Sequence, residues 1–223
     1  GNAEKHDHSI MVDKLKGFVE NLVKYKKAFL TENWQKDFDK ILEEYMGKEP
    51  SNFQYEGKTY TPQQFAQFLK INPDDYVSIS SFTHVPYYKS FVLSIPDNFS
   101  NGSFYNLPLD EYMQVMNEAL NKGFTISFSS DVSEPTFSAK QGLAILPLEG
   151  KKEDYFKVLL PEKWATAEER QQNFENFSTM DDHLMHITGM LKDQLGNQYY
   201  DVKNSWGSDL ANGGDVYMSA AFM

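Results

Sequence analysis

The apolar residues of this chain change their period about a third of the way along, and that change restricts the fold more than any other feature. In the first part they recur at helical spacing. Ile10, Leu15, Phe18, Val19, Leu22, Val23 and Phe29 are separated by Lys and Glu, and Ser9 stands where an N-cap belongs. Trp34, Phe38, Ile41, Leu42 and Tyr45 share one face of a second helix, from about Asn33 to a stop at Gly47. Thr61-Pro62 opens a third, short helix with apolar Phe65, Phe68 and Leu69. From Tyr76 the pattern alternates instead. Strands are expected over 76–80, 91–95, 124–128, 143–146, 183–190, 198–203 and 216–222. Two helices interrupt them. One spans 109–121, with Met113, Met116 and Leu120 on one side; the other starts at Thr166, where Glu169 completes a capping box, and runs to about Phe177. Residues 151–165 carry no assignable period. Helices first and strands afterwards favour an α+β fold over a doubly wound α/β one. The expected division is a helical region over 1–72 and a β-rich lobe over 73–223.

Charge and cysteine content then exclude chemistry. Twenty-one basic against 32 acidic residues leave a formal charge of −11. That argues against phosphate-binding surfaces, and so against nucleic acid and anionic membrane as partners. No run of 18 apolar residues is present, and residues 1–9 are polar rather than signal-like. The cysteine count is zero, so disulfides, thiolate metal sites and a thiol nucleophile within these 223 residues are excluded.

The densest group of chemistry-bearing residues is Asp181-Asp182-His183-Leu184-Met185-His186-Ile187-Thr188-Gly189, followed by Tyr200-Asp201-Val202-Lys203-Asn204-Ser205-Trp206-Gly207. Three readings compete. Asp182, His183 and His186 are metal-ligand types, but on a strand positions 183 and 186 face opposite ways. A bland reading has both histidines as satisfied polar residues, Asn204 in a turn and Trp206 as packing. The third is a His–Asn pair for nucleophilic catalysis. An imidazole that takes a proton from a thiol needs a group on its far nitrogen to set tautomer and orientation. Asn does this without adding charge, and a neighbouring Trp shields the bond from water. Elsewhere, His84 reads as structural. Asp131 and Glu134 suit either acid/base work or a turn after a strand. His6 and His8 read as solvated, and Gln63-Gln64 as part of a helix start.

The His183 to Gly189 run resembles the His motif of papain-like cysteine peptidases, and Val202-Lys203-Asn204-Ser205-Trp206-Gly207 resembles their Asn motif. Tyr60-Thr61-Pro62, Ser81-Phe82-Thr83-His84-Val85-Pro86-Tyr87-Tyr88, Tyr105-Asn106-Leu107-Pro108-Leu109-Asp110 and Ser130-Asp131-Val132-Ser133-Glu134 resemble the bleomycin hydrolase / aminopeptidase C branch. The resemblance implies the C-terminal part of a papain-like α+β fold, with 1–72 as an insertion typical of that branch. It implies a thiol-dependent aminopeptidase acting on peptides, with His183 as general base, Asn204 as its orienting partner and Trp206 as the shielding indole. No metal or cofactor enters. The family's nucleophilic Cys and oxyanion Gln precede the His, and nothing here matches them. The expected partners are therefore a Cys-bearing N-terminal lobe and, by resemblance, further copies in a hexamer. The chain alone is expected to be inactive. The alternative is an inactive relative kept for binding or assembly.

Overall fold

The computed structural model describes residues 7–24, 33–151 and 154–223. The chain divides into two compact units, Gly1–Asp75 and Tyr76–Met223.

The first unit opens with α1 (Ser9–Lys24) and α2 (Trp34–Met46). Phe18 meets Phe38 at 6.3 Å between ring centroids, and Trp34 meets Phe38 edge-on at 6.5 Å. Lys14 bonds Glu44 at 2.9 Å and lies 4.7 Å above the Tyr45 ring. These contacts are exposed, so each contributes little. Gly47, at φ 84, ends α2 and donates its N–H to Glu43 O at 3.0 Å. Phe29 lies outside the described residues. An all-helical first region is corrected by a hairpin, β1 (Phe53–Tyr55) and β2 (Lys58–Tyr60). Glu56 and Gly57 both hold positive φ, as a two-residue type I′ turn requires. The hairpin escapes a helical reading because alternation over so few residues is barely a pattern. In α3 (Pro62–Phe68), Gln64 N–H reaches Thr61 Oγ1 at 3.2 Å and Thr61 N–H reaches Gln64 Oε1 at 2.9 Å. Phe65 takes the rings of Phe53, Tyr55 and Tyr60 edge-on at 5.1, 5.1 and 5.5 Å, which joins α3 to the hairpin.

In the second unit β3 (Ile79–Ser80), β4 (Ser90–Val92) and β5 (Ser103–Asn106) form a small sheet of order β3-β5-β4. The strand expected over 76–80 is shorter because Tyr76 and Val77 stay exposed, and β5 was not expected at all. Buried Asn106 ties the loop that follows β3. It accepts from Phe82 N–H and donates to Phe82 O, both at 2.8 Å, and to Val85 O at 3.1 Å.

The main sheet sits under α4 (Leu109–Asn121) and contains β6 (Ile126–Ser130), β7 (Phe137–Ser138), β8 (Leu143–Ala144), β9 (His183–Lys192), β10 (Gln198–Lys203) and β11 (Asp215–Ser219). Its strand order is β6-β9-β10-β11-β8-β7. Met116 lies at the centre of the core with Met185, Ile187, Tyr200, Val202, Val216 and Met218; Met113 and Leu120 pack beside it. The expected apolar side of α4 is thus the side that covers the sheet. β6 starts two residues later than its alternation suggests, and β7 was not expected. After β8, Lys163 N–H bonds Leu146 O and Leu148 N–H bonds Pro161 O, both at 2.8 Å, so part of 151–165 forms a single antiparallel bridge at Pro147 and Glu162. The helix α5 (Ala167–Glu175) begins with the expected capping box of Thr166 and Glu169 and stops two residues short of Phe177, which takes φ 60. The α+β class holds, and the strands that matter for the site are β6, β9 and β10.

Candidate active site

Antiparallel pairing brings the two motifs together. Lys203 lies opposite His186 and Val202 opposite Ile187, so the chain leaving β10 runs back past the start of β9. His183 is the first residue of β9 and Asn204 follows the last residue of β10. Their side chains meet, His183 Nε2 to Asn204 Oδ1, at 2.8 Å. Ser205 N–H donates to the same Oδ1 at 2.7 Å. Only an oxygen can accept there, so the amide orientation is fixed and the imidazole must donate from Nε2. The neutral ring then carries its lone pair on Nδ1. Asn204 Nδ2 is buried and has no partner among the described residues.

Trp206 covers the ring. Its indole centroid is 4.8 Å from the His183 centroid at 31°, and Phe137 meets the indole edge-on at 6.0 Å. Trp206 is itself 48% exposed, so the indole lies between the imidazole and solvent. Glycine sets the return of this loop. A Cβ on Gly214, at φ 99, would lie 2.5 Å from Gly207 O, so the loop after Trp206 touches the backbone before β11.

His183 and His186 do not converge. Met185 and Ile187 face the core, whereas Leu184 and His186 face outward, with His186 opposite Ser127 and Lys203. Among the described residues no three His, Asp or Glu side chains come together as ligands. His84 Nδ1 lies 3.2 Å from Gln171 Oε1 against the rings of Phe82 and Phe174, a packed and oriented histidine. His8 is exposed, and His6 lies outside the described residues. Gln64 is occupied in its helix cap.

Asp131 is bonded into the turn after β6, and Glu134 lies close enough to feel its charge. Asp131 is 5% exposed. Its Oδ1 accepts from Ser133 N–H at 2.8 Å and from the Ser133 hydroxyl at 2.7 Å; its Oδ2 accepts from Met180 N–H at 2.8 Å. Burial pushes this carboxyl upward, but the donors from Met180 and Ser133 outweigh it and hold the group below the ordinary carboxylate value. Glu134 is raised, by burial first and by the Asp131 charge second. Further ties run parallel. Asp182 Oδ1 accepts from Val132 N–H at 2.9 Å, and the Ser129 hydroxyl donates to Asp181. The stretch just before His183 is thereby fastened to the turn after β6. Its partners are about fifty residues apart in sequence, so no local pattern announces them.

The family model described as Peptidase C1-like family matches residues 3–223 of this chain. A search of curated proteins returned no match. Among solved structures, the chain is similar to PepW from Lactobacillus rhamnosis HN001, at 23% identity and a TM-score of 0.65. The match covers 96% of this chain and 51% of that one, so the chain spans about half the length of PepW. At that identity the likeness bears on the fold, and the fold is the α+β, papain-like one.

Proposed function

Because the chain belongs to the Peptidase C1-like family, we propose that it supplies the general base and the orienting amide of a cysteine aminopeptidase. The observation that carries this is the 2.8 Å contact of His183 Nε2 with an Asn204 oxygen already fixed by Ser205 N–H. In this reading Nδ1 of His183 takes the proton of a thiol that comes from outside these 223 residues, which contain no cysteine. The thiolate adds to the first carbonyl of a peptide. The tetrahedral intermediate collapses as His183 returns the proton to the leaving amine, and a thioester remains. His183 then takes a proton from water, hydroxide displaces the thiolate, and the N-terminal residue leaves. Asn204 holds the ring in one orientation throughout, and in one tautomer while it is neutral, and Trp206 limits the water that reaches that hydrogen bond. Residues 1–72 form an insertion in this scheme, and assembly is as a homo-oligomer, a hexamer by resemblance.

A second reading is an inactive relative used for binding or assembly, which an encoding reading frame with its own start and no cysteine would favour. Intact mass of the native material after iodoacetamide, with aminoacyl-coumarin hydrolysis measured alongside, separates the two. A single alkylated thiol, together with activity lost on alkylation and in His183→Ala, supports the peptidase. A lone 25.7 kDa species that neither alkylates nor hydrolyses supports the second reading. Hydrolysis by this chain with no thiol present would refute the thiol mechanism.

A further inference from the structure

We propose that Asp131 is a positioning residue for His183, acting through the backbone of residues 180–182. The inference builds on the role given to His183 above. The geometry behind it is an acceptor shared between two loops. One carboxylate oxygen takes both donors of Ser133 and so fixes the turn that follows β6. The other takes Met180 N–H, three residues before His183. Asp182 answers from the opposite side, accepting Val132 N–H, and its own N–H reaches Ser130 O at 3.4 Å. His183 pairs with Ser130 in the ladder, so these ties set the height at which β9 begins.

That height decides whether the imidazole meets Asn204. Asn204 sits just outside the β10 ladder with its Oδ1 bonded to Ser205 N–H, so its side chain cannot swing towards a displaced histidine without breaking that bond. Of the tying carboxylates, Asp131 is the buried one, shielded from competing water; Asp181 and Asp182 are exposed. An Asn at 131 keeps the shape but has one acceptor oxygen for donors on two sides, so one loop is released.

The test uses the 223-residue chain labelled with nitrogen-15, at a pH where the imidazoles are neutral. The ring nitrogen shifts of His183 report its tautomer, and Met180 amide exchange reports the tie. Wild type should show Nε2–H, and Met180 exchange about a hundredfold slower than open loop amides. Asp131→Asn should lower the tautomer ratio about tenfold, as loss of one ordinary hydrogen bond does, while thermal melting shows a folded protein. Glu134→Gln, whose carboxylate makes no such tie, should leave the His183 signals in place. Unchanged His183 signals in folded Asp131→Asn would overturn the proposal. Should that variant fail to fold, a Met180 amide in wild type exchanging at open-loop rate would overturn it equally. Neither readout needs peptidase activity. An intact Asp131–His183 coupling, with no hydrolysis even in material that carries the reactive thiol, would sink the catalytic reading and leave the positioning role standing.

Discussion

Replacing Gly214 with alanine tests the link between backbone geometry and the loop that carries Asn204 and Trp206. Gly214 holds φ 99, and an added Cβ would lie 2.5 Å from Gly207 O, 3.2 Å from Gly207 C and 3.5 Å from Ser208 Cα. All three atoms belong to backbone, so no side chain can rotate away. Gly196, in the turn between β9 and β10, has a similar φ of 88 and nothing within 4 Å of the added atom. Gly196→Ala therefore measures the cost of positive φ alone, about 1–2 kcal/mol. Gly214→Ala adds the displacement of Gly207, about 1–3 kcal/mol more by analogy with overpacking. With a urea dependence of about 1–3 kcal/mol per molar, the second variant should unfold roughly 1 M earlier than the first. Urea titration followed by intrinsic fluorescence measures both, and Trp206 beside Gly207 should change its emission only in Gly214→Ala. Equal midpoints for the two variants would refute the close approach.

Three further outcomes are expected. In material that carries the reactive thiol, Asn204→Ala should lower kcat about 10- to 100-fold, the worth of one hydrogen bond to an imidazolium, with KM little changed in peptide hydrolysis assays. Met116→Ala should cost about 2–5 kcal/mol in chemical unfolding, since Met116 is 1% exposed in the core, on the face of α4 that covers the sheet. Tyr199 is held up to about 12, by burial first and then by the charges of Glu162 and Asp193. Its folded value exceeds the ordinary 10, so its stabilising contribution is complete below pH 10 and is lost as pH rises towards 12. Unfolding measured across that range should fall less steeply in Tyr199→Phe than in wild type.

The helices were legible because their signals are local. Thr61 with Gln64 and Thr166 with Glu169 close hydrogen bonds three residues apart, and Gly47 ends α2 on its own backbone. The alternation behind β9 and β10 was equally plain, because one face of each is buried against Met116. Shorter strands were not. Phe137–Ser138 is two residues long, too short for alternation to show, and Ser103–Asn106 is a strand because Ile79–Ser80 and Ser90–Val92 flank it, whereas Tyr76 and Val77 alternate and find no partner in the sheet. The opposite facing of His183 and His186 followed from the period of a strand. The meeting of His183 with Asn204 did not, because it depends on register across a turn.

What the sequence by itself determined is therefore the part written in contacts between near neighbours. It includes where α2, α3, α4 and α5 begin, which side of α4 is apolar, the absence of a thiol, and which residue types could serve as base and orienting amide. Tertiary structure decided the rest. It chose the strand order, the parallel pairing of β11 with β8, the fixed oxygen of Asn204 and the fastening of residues 180–182 by Asp131. A helix closes its hydrogen bonds within four residues. The β6–β9 ladder and the carboxylate shared by two loops close them over about fifty, and which pairing wins depends on burial summed over the whole sheet.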